Sequence, residues 1–325
     1  MSRNTFSRVP DLIVTRAPTR IDFGGGWTDV PPYSDEVGGF VCNVAITRYA
    51  TVRVHSVVDS PGAGAHVSAD RSIADAAARR LGVSGVGIEL QNDFPVGAGL
   101  GGSSAANVAA IFALSGLQRQ SIDPMALAEL SRDIEVEDLG IAGGRQDHYA
   151  AVFGGALGLR FSGTGTTVTQ IPLAAEFRAR LERRCVIMYT GQSRISGDTI
   201  NAVLDAYRAR DPRVLFALQR MRELAEQMAT AVAAADLDGL AGMVGEQWAH
   251  QRALHPAIPT PLIDEVIDRA RRAGASGAKA LGASGGGCVL VIARDDRVSA
   301  VRSAIELLGA LVPFSIALRG VERCE

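Results

Sequence analysis

The sequence predicts an α+β protein built in two parts, and three observations lead there. Apolar or alternating runs of strand length recur at residues 12–16, 40–46 and 50–58. A glycine-rich turn then feeds a long alanine-rich helix that ends near residue 117. The chain closes on strand, helix and strand patterns at residues 288–293, 298–308 and 312–317, which suit a small α+β layer.

The elements follow in order. Residues 1–10 are polar and are expected to fray. After the first three strands, residues 68–81 read as a helix and 86–91 as a strand. Pro95 opens a turn into the glycine run, and a second helix is expected over 125–138. A short glycine loop holds Asp147, and strand character returns at 157–161. The Gly/Thr-rich stretch SGTGTTVTQ reads as a hairpin or a crossing, so the division is set at residues 11–165 and 166–325. The second part starts with a strand at 185–189. Helices follow over 198–207, 213–235, 238–254 and 262–273.

Composition narrows the function. With 325 residues, 47% hydrophobic and 21% charged, the chain has the balance of an ordinary soluble globular protein. A formal net charge of −2, no basic block and only 5% aromatic residues argue against nucleic acid. The expected partner is a small molecule. Cys42, Cys185, Cys288 and Cys324 are scattered without a CxxC pair, so neither zinc nor a disulfide framework is expected. No run reaches the ~20 apolar residues of a membrane span, and none resembles a signal peptide. A cytoplasmic location follows by default, and the oligomeric state stays open, a homodimer being one option.

Two glycine-rich stretches carry the chemistry. IDFGGGWTDVPPY has three glycines, an indole and a carboxylate in one bend, more than a turn needs. In PVGAGLGGSSAAN, small residues stand directly before a helix. Free N–H groups and the positive dipole end at a helix start attract anions, and glycines let the main chain come close. Such a loop can cradle a triphosphate, with hydroxyls from Ser103 and Ser104; the plain alternative is an N-capping serine pair. It is not a Walker A loop, having no lysine after the last glycine, nor a GxGxxG dinucleotide turn.

PVGAGLGGSSAA resembles the central phosphate-binding motif of the GHMP kinases (galactokinase, homoserine, mevalonate and phosphomevalonate kinases). RAPTRIDFGGGWTDVPPY resembles the sugar-kinase N-terminal motif, GGRQDHYAAVFGG the catalytic-aspartate segment, and KALGASGGGCVLVIA the C-terminal glycine motif. Together they span the chain. The resemblance implies a ribosomal-protein-S5-like domain followed by a ferredoxin-like domain, with the site in the cleft between them. It implies ATP and magnesium as cofactors. Gly97, Gly99, Leu100, Gly101, Gly102, Ser103 and Ser104 would form the nucleotide loop.

By the same resemblance, Asp147 is the base facing the acceptor hydroxyl and Arg20 its cationic partner. Ser104 and Glu135 would hold the metal. Glu137 competes, but two residues apart on a helix they point about 200° apart, so one reaches the site; Glu135 is preferred. Asp29 corresponds to the sugar-binding aspartate, with Gly26 and Gly144 lining the same wall. Thr28 is either a second contact or a turn cap, and Trp27 either a sugar platform or a core plug. His148 is expected to be structural, and the 282–287 loop to brace the phosphate loop. Arg145 and Arg194 are candidates for a phosphate already on the substrate, or surface ion pairs.

GGWTDVPPYS, GLGGSSA and YTGQSR most resemble the branch of fucokinases and D-glycero-D-manno-heptose 7-phosphate kinases. Galactokinases carry an acidic residue and a histidine where this chain has Gly26 and Trp27, which argues against galactose. The expected reaction is phosphorylation of the anomeric hydroxyl of a heptose 7-phosphate for nucleotide-sugar synthesis. Fucose, or another higher sugar phosphate such as an octose 8-phosphate, stays open. From another class, a silent sugar-binding regulator is set against by the retained Asp147, Arg20, Glu135 and Ser104.

Overall fold

A computed structural model describes residues 12–56, 69–192 and 197–324. The expectations for residues 1–10 and for Arg194 lie outside these. Strand β1 (Leu12–Gly24) runs antiparallel to β2 (Gly39–Ser56), with a short helix α1 (Tyr33–Glu36) between them. The sequence divides β2 in two, but it is one strand. Its polar residues Thr47 and Arg48 are absorbed as a bulge where the register shifts between Pro18 and Thr19.

Next come α2 (Ala69–Arg80), β3 (Val86–Asn92), α3 (Gly102–Leu117) and α4 (Pro124–Asp133). A wide π turn, Ile134–Asp138, follows α4 where the sequence predicts one continuous helix. Then come α5 (Gln146–Phe153) and the hairpin β4 (Ala156–Ser162) and β5 (Gly165–Ile171). Because β5 pairs with β4, the division at 165/166 falls inside this hairpin, and the first sheet runs on to Ile171.

The second half holds α6 (Ala175–Arg184), β6 (Cys185–Tyr189), α7 (Gly197–Arg208), α8 (Pro212–Ala233), α9 (Leu237–Ala253) and α10 (Pro261–Ala273). It continues through β7 (Ala275–Ala280), β8 (Cys288–Ala293), α11 (Val298–Ile305), β9 (Ala310–Leu311) and β10 (Glu322–Cys324). Helices α4, α8 and α10 each start at Asp123, Asp211 or Thr260, whose side chain caps the first turn, with proline next. The strand expected over 312–317 is absent. Pro313 offers no N–H, and the segment keeps a single bridge, Ile46 to Ile316.

The first sheet has the order β10-β1-β2-β4-β5, with β3 also on β2; the second is β7-β8-β6-β9. On one face of the first sheet, Ala105, Ala109 and Ala113 let α3 lie close to β1 and β2, and Thr15 donates to the Ala109 carbonyl at 2.8 Å. On the other face, one apolar cluster joins the halves: Ile21, Phe23 and Val44 meet Leu224 and Met228 of α8, Leu240 and Val244 of α9, and Leu281. This seam sets the end of β1 between the two halves.

Candidate active site

The glycine–serine loop starts α3. Gly101 is its N-cap, left-handed at φ 76°, and no side chain caps the helix, so its first-turn N–H groups stay available to an anion. A Cβ on Gly101 would come within 2.9 Å of Asp147 Cγ, so a side chain there would push into that carboxylate. The second glycine loop presses from behind. The Cys288 N–H donates to the Ala98 carbonyl at 2.8 Å, and a Cβ on Gly99 would sit 2.6 Å from the Leu281 oxygen. Loop 282–287 thus touches the first loop through backbone. Gly97 to Ser104, with Ile73 and Phe94, line a cavity of about 340 Å³, within the range of small-molecule pockets.

Arg20 and Asp147 form a bidentate pair. Arg20 Nε donates to Asp147 Oδ1 at 2.7 Å and a terminal nitrogen to Oδ2 at 2.9 Å. The other terminal nitrogen donates to the Gly99 carbonyl at 2.6 Å, so one guanidinium ties β1, the loop and α5 together. Burial works against its charge, but Asp147 and Asp22 outweigh that and raise its proton affinity. Asp147 stands in the first turn of α5, a helix the sequence reading missed by treating the segment as a loop.

Glu135 lies on the π turn, which aims it inward. Ser103 Oγ donates to Glu135 Oε1 at 2.6 Å and Ser104 Oγ to Oε2 at 2.9 Å. His148 Nε2 is 3.2 Å from Oε2, and its Nδ1 is 2.8 Å from Ser131 Oγ. Burial pushes the Glu135 carboxyl up, yet these contacts prevail and hold it below the usual carboxylate range. Glu137 points away, half exposed, with Arg80 at 3.7 Å. The Ser103, Ser104 and Glu135 oxygens are hard donors of the kind magnesium takes. Among the described residues no group of three or more His, Cys, Asp or Glu is placed to hold a metal ion.

On the other side of Asp147 is a polar cleft lined by Arg20, Gly26, Trp27, Asp29, Gly144 and Asp147, among others. Asp29 is buried, and its Oδ2 accepts the Gln146 N–H at 3.0 Å, fixing the start of α5. Burial foremost, with the Asp147 and Asp22 charges adding to it against the pull of that N–H, pushes its carboxyl up to about 6. Gly144 is needed there, since a Cβ would fall 2.0 Å from Asp29 Oδ2. Trp27 packs in the core cluster with Tyr33 and Tyr207, and the residue also lines the cleft.

Thr28 and Arg145, for each of which the sequence left two readings open, are not brought to the cleft. Thr28 is fully buried, its hydroxyl 2.7 Å from the Gly25 oxygen and 3.0 Å from the Phe40 oxygen while it accepts the Phe40 N–H, so it closes the turn. Arg145 turns to Asp35 at 3.7 Å and the Ser162 carbonyl at 3.5 Å, clear of the cleft lining. Arg194 is outside the described residues. The sequence reading missed Asp22, Gln146 and Lys279. Asp22 had one signal, being two residues past Arg20 and so on the same strand face. Lys279 had another, as the single charge in the run GAKALGASGGGCVLVIA.

The sequence pattern of the GHMP kinases N terminal domain matches residues 69–155, and that of the GHMP kinases C terminal domain matches 228–310. The D-glycero-alpha-D-manno-heptose 7-phosphate kinase of Campylobacter jejuni is 26% identical over 95% of this chain and 98% of its own. The bifunctional fucokinase/GDP-fucose pyrophosphorylase of Arabidopsis thaliana is also 26% identical, over 89% of this chain, which spans only 30% of that longer protein. Among solved structures, a D-glycero-D-manno-heptose 1-phosphate kinase from Bacteroides thetaiotaomicron has the same fold at TM-score 0.75, 24% identity and 96% and 99% coverage of the two chains. Galactokinase from Lactococcus lactis, solved with galactose, superposes at TM-score 0.73 with 17% identity, over 98% and 96%. The two patterns fall one in each half of the molecule, on either side of the cleft, and the chain belongs to the GHMP kinase family.

Proposed function

We propose that the protein phosphorylates the anomeric hydroxyl of D-glycero-D-manno-heptose 7-phosphate with ATP, giving the 1,7-bisphosphate for nucleotide-sugar synthesis. One observation carries the reaction type: Ser104, Glu135 and Asp147 line both the loop cavity and the polar cleft, so they stand where donor and acceptor meet. The loop N–H groups bind the donor's phosphates. Ser103, Ser104 and Glu135 would hold magnesium, which neutralises phosphate charge when bound. Asp147 takes the proton of the attacking hydroxyl as its oxygen bonds to the γ-phosphorus and the bond to ADP breaks. Arg20 holds Asp147 aimed through its two hydrogen bonds, and Asp29 accepts from acceptor hydroxyls.

The heptose reading is supported by the similarity that covers nearly the whole of the Campylobacter kinase. A different observation favours fucose. Among the described residues lining the cleft the only Lys or Arg is Arg20, and it is committed to Asp147, leaving no free cation for a distal phosphate. ADP release measured with heptose 7-phosphate, unphosphorylated heptose and L-fucose separates the two. The heptose reading expects kcat/KM for heptose 7-phosphate to exceed the others by at least about tenfold, and equal or better use of L-fucose overturns it.

A further inference from the structure

Two charged side chains meet at the back of the cleft without a part in this scheme. Lys279 on β7 is wholly buried, and its Nζ donates to Asp22 Oδ2 at 2.9 Å and to the Asp22 carbonyl at 3.0 Å. Asp22 is on β1, in the other half of the molecule. A buried ion pair is seldom more stabilising than apolar side chains of the same volume, so stability alone does not account for it.

Asp22 also lines the acceptor cleft, and its second oxygen, Oδ1, is buried without a partner. Gln146 Oε1 and Trp27 Nε1, on two other cleft residues, are in the same condition. Gly26 lies among them: a Cβ there would fall 2.5 Å from Asp22 Oδ2 and 3.0 Å from Gln146 Nε2. Two acceptors and a donor, shielded from bulk water, suit a polyol, because each hydroxyl both donates and accepts. A site with such groups rejects an analogue that lacks the matching hydroxyl, since the buried group is then left unpaired.

We propose that Asp22 is a second acceptor-reading carboxylate: its Oδ1 takes one sugar hydroxyl, beside Gln146 Oε1 and Trp27 Nε1. Lys279, reaching over from the other half, holds Asp22 in place as a positioning residue and does not touch the sugar. The inference rests on the sugar-kinase reading above.

The test uses whichever of heptose 7-phosphate and L-fucose the wild type turns over, with the monodeoxy forms of that sugar. Asp22→Asn is expected to lower kcat/KM for the parent sugar about 10- to 100-fold through KM, leaving the KM for ATP unchanged. One monodeoxy form, poor for the wild type, becomes as good as the parent sugar in the variant. Lys279→Met shows the same loss of discrimination, and Asp22→Asn/Lys279→Met is no worse than Asp22→Asn alone. Should a single variant fail to fold, the double variant leaves no unpaired charge and is read in the same way. Unchanged acceptor KM and unchanged discrimination in a folded variant overturn the Asp22 role while the kinase reading stands. No sugar-dependent ADP release by the wild type overturns both.

Discussion

Asp147 and Asp29 are held in opposite ways, and each has its own consequence. Asp147 is partly open to the cleft and paired with Arg20. Asp147→Asn is expected to lower kcat by about 10²–10⁴-fold with the Kd for ATP within about twofold, measured by steady-state turnover and nucleotide titration. Near-full activity would remove Asp147 from the role of base. Asp29, with its carboxyl pushed up to about 6 by burial, offers both oxygens as charged acceptors to hydroxyls only when ionised. The KM for the acceptor is therefore expected to rise about tenfold per pH unit below 6, while the KM for ATP stays flat. The same shift acts on stability. The folded protein binds this proton more tightly than the unfolded chain, so the cost of the buried charge is full above about pH 6 and fades as pH falls toward 3.8. At this scale the sequence revealed residues inside glycine-rich motifs. The two readings of Thr28 and of Arg145 stayed open there because a motif gives position along the chain, whereas Phe40 and Asp35, which claim their side chains, come from elsewhere in the fold.

Among the elements, the π turn after α4 decides which glutamate enters the site. An i→i+5 turn widens the helix locally and redirects its side chains, and such turns recur at functional sites. Glu135 turns toward Ser103 and Ser104 and Glu137 toward Arg80. Glu135→Gln is accordingly expected to raise the magnesium concentration for half-maximal activity at least about tenfold, and Glu137→Gln to leave it within about twofold; equal effects in a magnesium titration would contradict the assignment. The glycine–serine loop and α3 were legible because glycine, serine and alanine each act through local backbone preference. The π turn was not, because nothing in IEVED distinguishes it from ordinary helix. Helix α5 was hidden by the glycines before it, although QDHYAAVF is itself a fair helix former.

For the molecule as a whole, β1 is the part on which both halves converge. It carries Arg20 and Asp22, pairs with β2 on one side and takes β10 on the other, where Arg16 Nε donates to Glu322 Oε1 at 2.8 Å. Ending the chain after Gly320 removes that strand, and a loss of roughly 1–3 kcal/mol is expected. A melting temperature lowered by several degrees checks it. The α+β class and the order of the motifs could be read from strand runs and glycine punctuation. The return of β10 to β1 and the pairing of Lys279 with Asp22 could not, since each joins residues more than 250 positions apart. The reaction itself is tested most directly by ³¹P NMR of the product formed from ATP and heptose 7-phosphate or L-fucose. A new phosphomonoester signal coupled to the anomeric proton is the predicted result. A product phosphorylated at another carbon, or only ATP and inorganic phosphate, would contradict it.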